Sequence, residues 1–192
     1  NGIYRSTNSG LNWSFAGVWG YMIPSMIAKE NYVFTGTSGY GVYRSTNYGQ
    51  LYSFAPTSLT NGSAYGFGMI GDTVFAGLSG EGVFRSTNYG VNWIKTELHN
   101  IQALSLAKSG NGLFTGTNHY GIYYSSNNGA NWLYNTMLYE EINTFLNVGT
   151  DLYAGTSDGL YYTSNNGLNW ARKSGSGGDV LSVANADNMY IA

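Results

Sequence analysis

The sequence predicts an all-β fold assembled from repeats of roughly 40 residues, and three observations support that prediction. An eight-residue segment at 86–93, Ser-Thr-Asn-Tyr-Gly-Val-Asn-Trp, has relatives at 6–13, 45–52, 125–132 and 163–170. The stretches between these five boxes contain short runs of alternating apolar and polar residues, and none shows a helical period. Glycine (28 residues) and aromatic residues (16%) are abundant while charged residues make up only 9%, a composition suited to strands and turns.

The unit around the fourth box shows how one repeat is expected to fold. We call its four strands A to D and expect them at 101–107, 113–117, 122–125 and from 132 onward, with turns between them. The box itself forms the hairpin between strands C and D. Four short strands in one repeat of this length predict a single antiparallel sheet, which is typical of a propeller blade.

The repeat spacing predicts five such blades in a single domain over residues 1–192. The box glycines stand at 10, 49, 90, 129 and 167, so successive boxes are 39, 41, 39 and 38 residues apart. The first unit has only strands C and D, and the last has only strands A and B. We expect these halves to pair and close a ring, which leaves no open inner edge. The expected blades are 180–192 together with 1–17, then 21–54, 64–95, 101–135 and 142–173.

Charge and composition exclude several functions. The net charge is −2 with only eight Lys and Arg residues, so the sequence lacks the basic stripe that nucleic-acid binding needs. No apolar run is long enough for a membrane span. The absence of cysteine removes disulfides, thiolate catalysis and cysteine-based metal sites, and we expect no cofactor and no metal. The polar, lysine-poor composition leads us to expect a secreted or cell-surface protein.

The chemistry of the box points to a structural role. An Asn side chain can bond to nearby backbone groups, a Ser or Thr hydroxyl can do the same, and Gly supplies the positive φ of a tight turn. The final Trp provides a large ring that anchors the hairpin. The residues expected to act in this way are Ser6, Asn8, Gly10, Trp13, Ser45, Asn47, Gly49, Tyr52, Ser86, Asn88, Gly90, Trp93, Ser125, Asn127, Gly129, Trp132, Thr163, Asn165, Gly167 and Trp170.

This pattern, S-x-N-x-G-x-x-W, resembles the Asp-box, or BNR repeat, of sialidases, sortilin-type receptors, some glycoside hydrolases and photosystem assembly factors. The resemblance implies a β-propeller in which the box lies on the face away from the ligand site. Two departures from the family pattern are present. All five boxes carry Asn where the family usually has Asp, and the second box ends in Leu51-Tyr52 instead of Asn-Trp. Asn preserves the turn chemistry without a charge.

Sialidase activity, which the resemblance suggests, does not fit the arginines of this chain. Enzymes of that kind hold the substrate carboxylate with three arginines from different blades. Here Arg5, Arg44 and Arg85 share one repeated position immediately before the box, and Arg172 is the only other arginine. The sequence therefore provides no apparent arginine triad.

The ligand is expected on the opposite face, which carries the turns between strands B and C and the connections from strand D to the next strand A. The units differ most in these segments, and aromatic, acidic and histidine side chains occur there. The candidate ligand-binding residues are Trp19, Tyr21, Tyr40, Tyr65, Glu81, His99, His119, Tyr120, Tyr139, Glu140 and Asp158.

These residues favour a non-catalytic recognition module that binds a carbohydrate or glycan, since flat aromatic rings beside hydrogen-bonding groups suit sugar rings. Three alternatives stay open. A protein surface is the second ligand class, and a glycoside-hydrolase-type enzyme would use Glu81, Asp158, Glu140 or Glu141 as its carboxylates. The chain could also be a purely structural propeller, excised or engineered. The two histidines have no second ligand at metal-binding spacing.

Overall fold

The computed structural model describes residues 2–55, 59, 62–137, 140–186 and 189–191. Alternating apolar residues produce strands throughout this part of the chain, and none of its segments forms a helix of the length and apolarity that crossing a membrane requires. The strands are β1 (Ile3–Arg5), β2 (Ser14–Gly17), β3 (Ser25–Lys29), β4 (Tyr32–Gly36), β5 (Val42–Ser45), β6 (Ser53–Phe54), β7 (Ala64–Ile70), β8 (Thr73–Leu78), β9 (Gly82–Ser86), β10 (Ile94–Lys95), β11 (Ala103–Ser109), β12 (Gly112–Thr117), β13 (Ile122–Ser125), β14 (Leu133–Thr136), β15 (Ile142–Val148), β16 (Asp151–Thr156), β17 (Gly159–Thr163), β18 (Ala171–Arg172), β19 (Ala184–Ala186) and β20 (Met189–Ile191).

The strands form four complete antiparallel sheets, each with its strands in chain order. The first sheet is β3 to β6, the second β7 to β10, the third β11 to β14 and the fourth β15 to β18. The N-terminal hairpin, β1 with β2, and the C-terminal hairpin, β19 with β20, are separate two-stranded sheets. The predicted all-β class and the four-stranded antiparallel units are confirmed.

Five blades are therefore visible only in part, as four sheets and two hairpins. In the part of the chain that the structure describes, β1 pairs only with β2 and β20 pairs only with β19. The expected pairing of the two chain ends stays a prediction.

The sheets pack against one another through their A strands. Strand β7 contacts β3 on one side and β11 on the other, and β11 also contacts β15. A glycine in strand B allows this close approach: a Cβ on Gly77 would lie 2.9 Å from Cβ of Ala103, and one on Gly116 would lie 2.5 Å from Cβ of Ile142. The repeated glycine of strand B is thus required by the neighbouring sheet.

The hydrophobic core lies between successive sheets. Phe34, Phe75 and Phe114 occupy the same position in β4, β8 and β12, and all three are fully buried. Phe34 packs with Trp93 of the second sheet, and Phe114 packs with Leu152 of the fourth. Burying one large aromatic ring at each junction supplies much of the driving force for stacking the sheets.

Candidate functional site

The boxes form a hydrogen-bonded hairpin between strands C and D. In the second sheet the Ser86 hydroxyl accepts a hydrogen bond from the Gly90 amide at 2.8 Å and donates one to Oδ1 of Asn88 at 3.0 Å. That Oδ1 also accepts from the Asn92 amide at 2.9 Å. The hydroxyl-to-glycine bond recurs in the other four boxes. These side-chain oxygens accept hydrogen bonds from within the hairpin. The box therefore stabilises its own turn.

The turns between strands B and C lie at the ends of the strands away from the boxes. Thr37 donates its hydroxyl to the carbonyl of Gly41 at 2.9 Å, and Thr117 makes the same bond to Gly121 at 2.7 Å. Thr156 repeats it in the fourth sheet with Gly159 at 2.9 Å. These buried bonds fix the three turns and place the residue before the glycine at the tip; the second sheet has Leu78 in place of the threonine.

Aromatic residues occupy two of these tips. Tyr40 is 53% exposed and Tyr120 is 52% exposed. Trp19, in the connection leading into the first sheet, is 76% exposed. Large rings left this open offer apolar surface together with hydroxyl or N–H groups.

Next to each tip, strands C and D carry a cross-strand pair at one repeated register. Tyr43 and Phe54 meet edge to face with their ring centroids 5.0 Å apart, and Tyr123 and Tyr134 do so at 5.8 Å. These pairs were not predicted from the sequence, although an aromatic residue recurs at this place in every strand C. The partners are Tyr4 with Phe15, Tyr43 with Phe54, Phe84 with Lys95, Tyr123 with Tyr134, and Tyr161 with Arg172.

In the first sheet the tip and the pair form one aromatic cluster. The ring of Tyr21 lies 4.5 Å from that of Tyr40 and 6.0 Å from that of Tyr43, centroid to centroid. Burial raises the pKa of Tyr43, and a hydrogen bond with Tyr21 raises it further. Two of the predicted ligand-binding residues, Tyr21 and Tyr40, are therefore in direct contact.

The third sheet has tyrosines at the corresponding tip and pair positions, Tyr120, Tyr123 and Tyr134, and the rings of the last two lie 5.8 Å apart. Burial is the main cause that raises the pKa of Tyr123, and the nearby hydroxyls of Tyr134 and Tyr120 add to it. The three phenols thus share one edge of the sheet.

The predicted carboxylates are engaged with partners. Glu81 forms an ion pair with Lys95 at 2.5 Å, and Asp158 forms one with Arg172 at 3.2 Å. Tyr161 donates its hydroxyl to Asp158 at 3.0 Å; burial raises the pKa of Tyr161, and this hydrogen bond raises it further. The carboxylates therefore neutralise cations on their own sheets.

Glu140 lies at the same corner of the fourth sheet as Asp158. Its carboxylate accepts a hydrogen bond from the Ser157 hydroxyl at 2.7 Å. A cavity of about 440 Å³ opens on the strand D side of this corner, beside Lys173 and the glycine-rich segment 174–177.

The remaining predicted residues lie on different elements of the fold. Tyr65 is a half-buried residue of β7, while His99 and His119 are exposed in different connections. Tyr139 lies outside the described residues. Among the residues that are described, no three His, Asp or Glu side chains come together as metal ligands. The candidate site is thus a set of sheet-edge clusters.

Comparison with known proteins supplies structural neighbours only. No protein-family description matches the sequence, and no curated protein matches it. An ancestral GH74 enzyme superposes on 91% of this chain with a TM-score of 0.75 at 21% identity. The GH74 xyloglucanase of Xanthomonas campestris matches 85% of the chain with a TM-score of 0.69 at 19% identity, and YCF48 bound to a D1 peptide matches 79% with a TM-score of 0.63 at 14% identity.

The chain spans 28% of the ancestral enzyme, 32% of the xyloglucanase and 54% of YCF48. Likeness at these identities reports the fold and not the activity. Together with the stacked four-stranded sheets, it shows that this chain has a β-propeller fold.

Proposed function

We propose that the protein is a non-catalytic recognition module that binds carbohydrate through the face carrying the B–C turns and the D–A connections. The observation that carries the proposal is the exposure of Tyr40 and Tyr120 at the tips of two equivalent turns. Tyrosine and tryptophan give large, rigid, amphipathic contact area at low entropic cost. The hydroxyl of each ring adds a hydrogen-bonding group for a sugar.

The test is a glycan array followed by titration calorimetry with the best binders. We expect binding to a neutral glycan and a loss of about fivefold in affinity for Trp19→Ala or Tyr40→Ala, since stacking on an exposed ring contributes of order 1 kcal/mol. The absence of binding across mono-, oligo- and polysaccharides would contradict the proposal.

A glycoside hydrolase is the alternative from another class, and GH74 enzymes are among the structural neighbours. Hydrolysis needs two carboxylates that face one bond. In this chain Glu81 pairs with Lys95 on the second sheet and Asp158 pairs with Arg172 on the fourth, so these two carboxylates do not face one bond. Glu140 lies at the same corner as Asp158, and these two are the carboxylates that such an enzyme would use. Hydrolysis of fluorogenic glycosides that disappears in Glu81→Gln, Glu140→Gln or Asp158→Asn would replace the binding proposal with this one.

A protein ligand is the second candidate, and the YCF48 neighbour bound to a peptide favours it. Exposed aromatic rings also suit peptide side chains. Panning a peptide library on the protein and on its Tyr40→Ala variant separates the two ligand classes. Enrichment that depends on Tyr40, with no binding on the glycan array, would favour a peptide.

We also propose that the repeats form an Asp-box propeller of five blades, closed by β20 pairing with β1. The hairpin bonds shared by all five boxes support it. Small-angle scattering tests the closure, because a compact ring of this length has a radius of gyration of about 16 Å. A clearly larger value would indicate an open array.

A further inference from the structure

A polar cavity lies between the third and fourth sheets, on the face that carries the boxes and the A–B turns. Its volume is about 330 Å³, and it is formed by the A–B turns of the two sheets together with the box of the fourth. The side chains around it are lysine, serine, threonine and asparagine, so the cavity suits a hydrophilic ligand. The lining residues are Lys108, Ser109, Gly110, Asn147, Gly149, Thr150 and Asn166.

The corresponding place between the first and second sheets is filled by larger side chains. There Tyr89 of the box stacks on Tyr32 with the ring centroids 4.5 Å apart. The Lys29 ammonium donates hydrogen bonds at 2.7 Å to the carbonyl of Gly71 and to Oδ1 of Asp72, in the A–B turn of the second sheet. Two rings and an ion pair therefore close that junction.

Smaller residues stand at the equivalent positions of the third and fourth sheets. Asn166 stands where the box of the second sheet has the tyrosine, Ser109 where strand A of the first has the lysine, and Thr150 where the next A–B turn has the aspartate. Each side chain is smaller than its counterpart, and serine and threonine cannot form an ion pair. These differences account for the cavity.

Contacts that cross the junction hold the box side of the cavity in place. The Gly167 amide donates to the hydroxyl of Thr163 at 3.0 Å, and the Gly167 carbonyl accepts a hydrogen bond from Nδ2 of Asn135, on the third sheet, at 3.0 Å. The side chain of Asn166 lies against Gly110, since a Cβ on that glycine would be 2.5 Å from Oδ1 of the asparagine. The side chain of Asn166 is therefore positioned by both sheets.

Lys108 gives the cavity a positive charge. In the part of the chain that the structure describes, its ammonium forms no ion pair and no hydrogen bond. Asp151, which follows the lining residue Thr150, accepts a hydrogen bond from the Thr150 hydroxyl at 3.4 Å and does not itself line the cavity. A cation in a cavity whose lining includes no carboxylate attracts an anionic ligand group.

The neutral side chains suit the hydroxyl groups of a ligand. Among the described residues, the side chains of Ser109, Asn147 and Asn166 have no hydrogen-bond partner. An asparagine amide offers two donors and an acceptor, and a serine hydroxyl both donates and accepts, as sugar hydroxyls do. Ser109 is only 5% exposed, so the cavity reaches into the junction between the sheets.

We propose that this cavity binds a hexose-sized molecule that carries several hydroxyl groups and one carboxylate or phosphate group. The Lys108 ammonium binds the anionic group, while Ser109, Asn147 and Asn166 bind hydroxyls. The volume of about 330 Å³ lies at the lower end of the range of small-molecule sites, about 300–1,000 Å³, which suits one sugar unit. This site goes beyond the proposed glycan recognition, because it lies on the opposite face.

Calorimetry with glucuronate, glucose 6-phosphate, glucose and inorganic phosphate tests the ligand class. We expect one site for a sugar anion, and the comparison of the first two probes shows whether a carboxylate or a phosphate is preferred. Glucose lacks the charge and inorganic phosphate lacks the sugar ring, so each should bind about tenfold more weakly. Affinity for the sugar anion should also fall as salt is added.

Variants of the lining locate the site. Lys108→Gln should lower the affinity about tenfold and Lys108→Arg should retain it, because the contact is charge-assisted. Lys95→Gln removes a cation from the second sheet as the matched control, and affinity should stay within about twofold.

Asn166→Tyr should abolish binding, because the ring fills the cavity as Tyr89 fills the equivalent place. The substitution should be tolerated, since Tyr89 has a φ of 53° at the same box position and Asn166 has a φ of 55°. A melting temperature close to that of the unmodified protein verifies that the variant is folded.

A sugar anion that binds equally well to the unmodified protein, Lys108→Gln and Asn166→Tyr would overturn the proposed site. Equal affinity for glucose or for inorganic phosphate would overturn the ligand class, and failure of both sugar anions to bind would overturn the inference as a whole. The glycan array and the Trp19 and Tyr40 variants test the proposed function separately, so each proposal can fail without the other.

Discussion

Gly90 of the second sheet lies against the ring of Phe34 in the first sheet, and a Cβ at that glycine would overlap the ring. The relationship repeats along the chain. A Cβ on Gly129 would lie 2.7 Å from the Phe75 ring, and one on Gly167 would lie 2.5 Å from the ring of Phe114. The glycine of the box thus serves two purposes, since it supplies the positive φ of the turn and admits the aromatic ring of the preceding sheet.

Gly90→Ala is expected to destabilise the protein more than Gly80→Ala. Both glycines have a positive φ, +76° and +72°, but no atom lies within 4 Å of a Cβ at Gly80. The backbone cost of about 1–2 kcal/mol is therefore shared, and the overlap with Phe34 adds about 1–3 kcal/mol at Gly90. Urea denaturation measures the free energy of unfolding of both variants. Equal losses of stability would show that overlap with Phe34 adds nothing to the cost of the Gly90 substitution.

Ser86→Ala is expected to lower the free energy of unfolding by about 1–3 kcal/mol, because the buried Gly90 amide loses its acceptor. Ser6→Ala in the exposed first box is the control, since water can replace that hydroxyl. Ser86→Thr should be tolerated, because Thr163 makes the same bond to Gly167 at 3.0 Å. A Ser6 variant as unstable as the Ser86 variant would show that burial does not set the cost.

Trp93→Ala is expected to cost about 3–5 kcal/mol, while Trp13→Ala should cost less than about 1 kcal/mol. The Trp93 side chain is 7% exposed and meets the Phe34 ring edge to face at 6.1 Å, whereas Trp13 is 63% exposed. Chemical denaturation of both variants gives the comparison. Similar losses would show that the exposed fraction of the tryptophan side chain does not set the cost.

Asp72→Asn is expected to change the acid limb of the pH–stability curve. Hydrogen bonds from Lys29 and Tyr89 hold the pKa of Asp72 below its usual 3.8, and the bond to Asp72 raises the pKa of Lys29 above its usual 10.5. A lowered carboxyl pKa stabilises the fold above 3.8, and that contribution is lost as the pH falls through the folded-state pKa. The raised pKa of Lys29 stabilises the fold below pH 10.5, and this stabilisation is lost as the pH rises through the folded-state pKa, which lies above 10.5.

Thermal melting from pH 2 to 7 checks this prediction. The unmodified protein should melt slightly above Asp72→Asn at neutral pH, and the two curves should converge at the acid end. The difference should also shrink in high salt, since the pair lies at the surface. A difference in melting temperature that stays the same at every pH would show that packing, and not charge, causes the effect of Asp72→Asn.

Local chemistry made much of the fold predictable. The Asn-x-Gly turns of the boxes and the alternation in 113–117 predict strands that appear as β12 and its neighbours almost unchanged. The predicted boundaries of strand A are less accurate. The sequence predicts a turn over 108–112, yet β11 continues to Ser109 and β12 begins at Gly112, because a tight hairpin lets the ladder extend to its last pair.

The repeated box by itself determined the strand class, the length of each unit and the place of every C–D hairpin, since these depend on residues close together in the chain. Only the tertiary structure decided which side chains share an edge. Tyr21 contacts Tyr40 and Tyr43, which lie about 20 residues later in the chain. Phe34 of the first sheet contacts Gly90 of the second. Cross-strand register and sheet stacking bring these residues together, and neither is set by the spacing of the repeat.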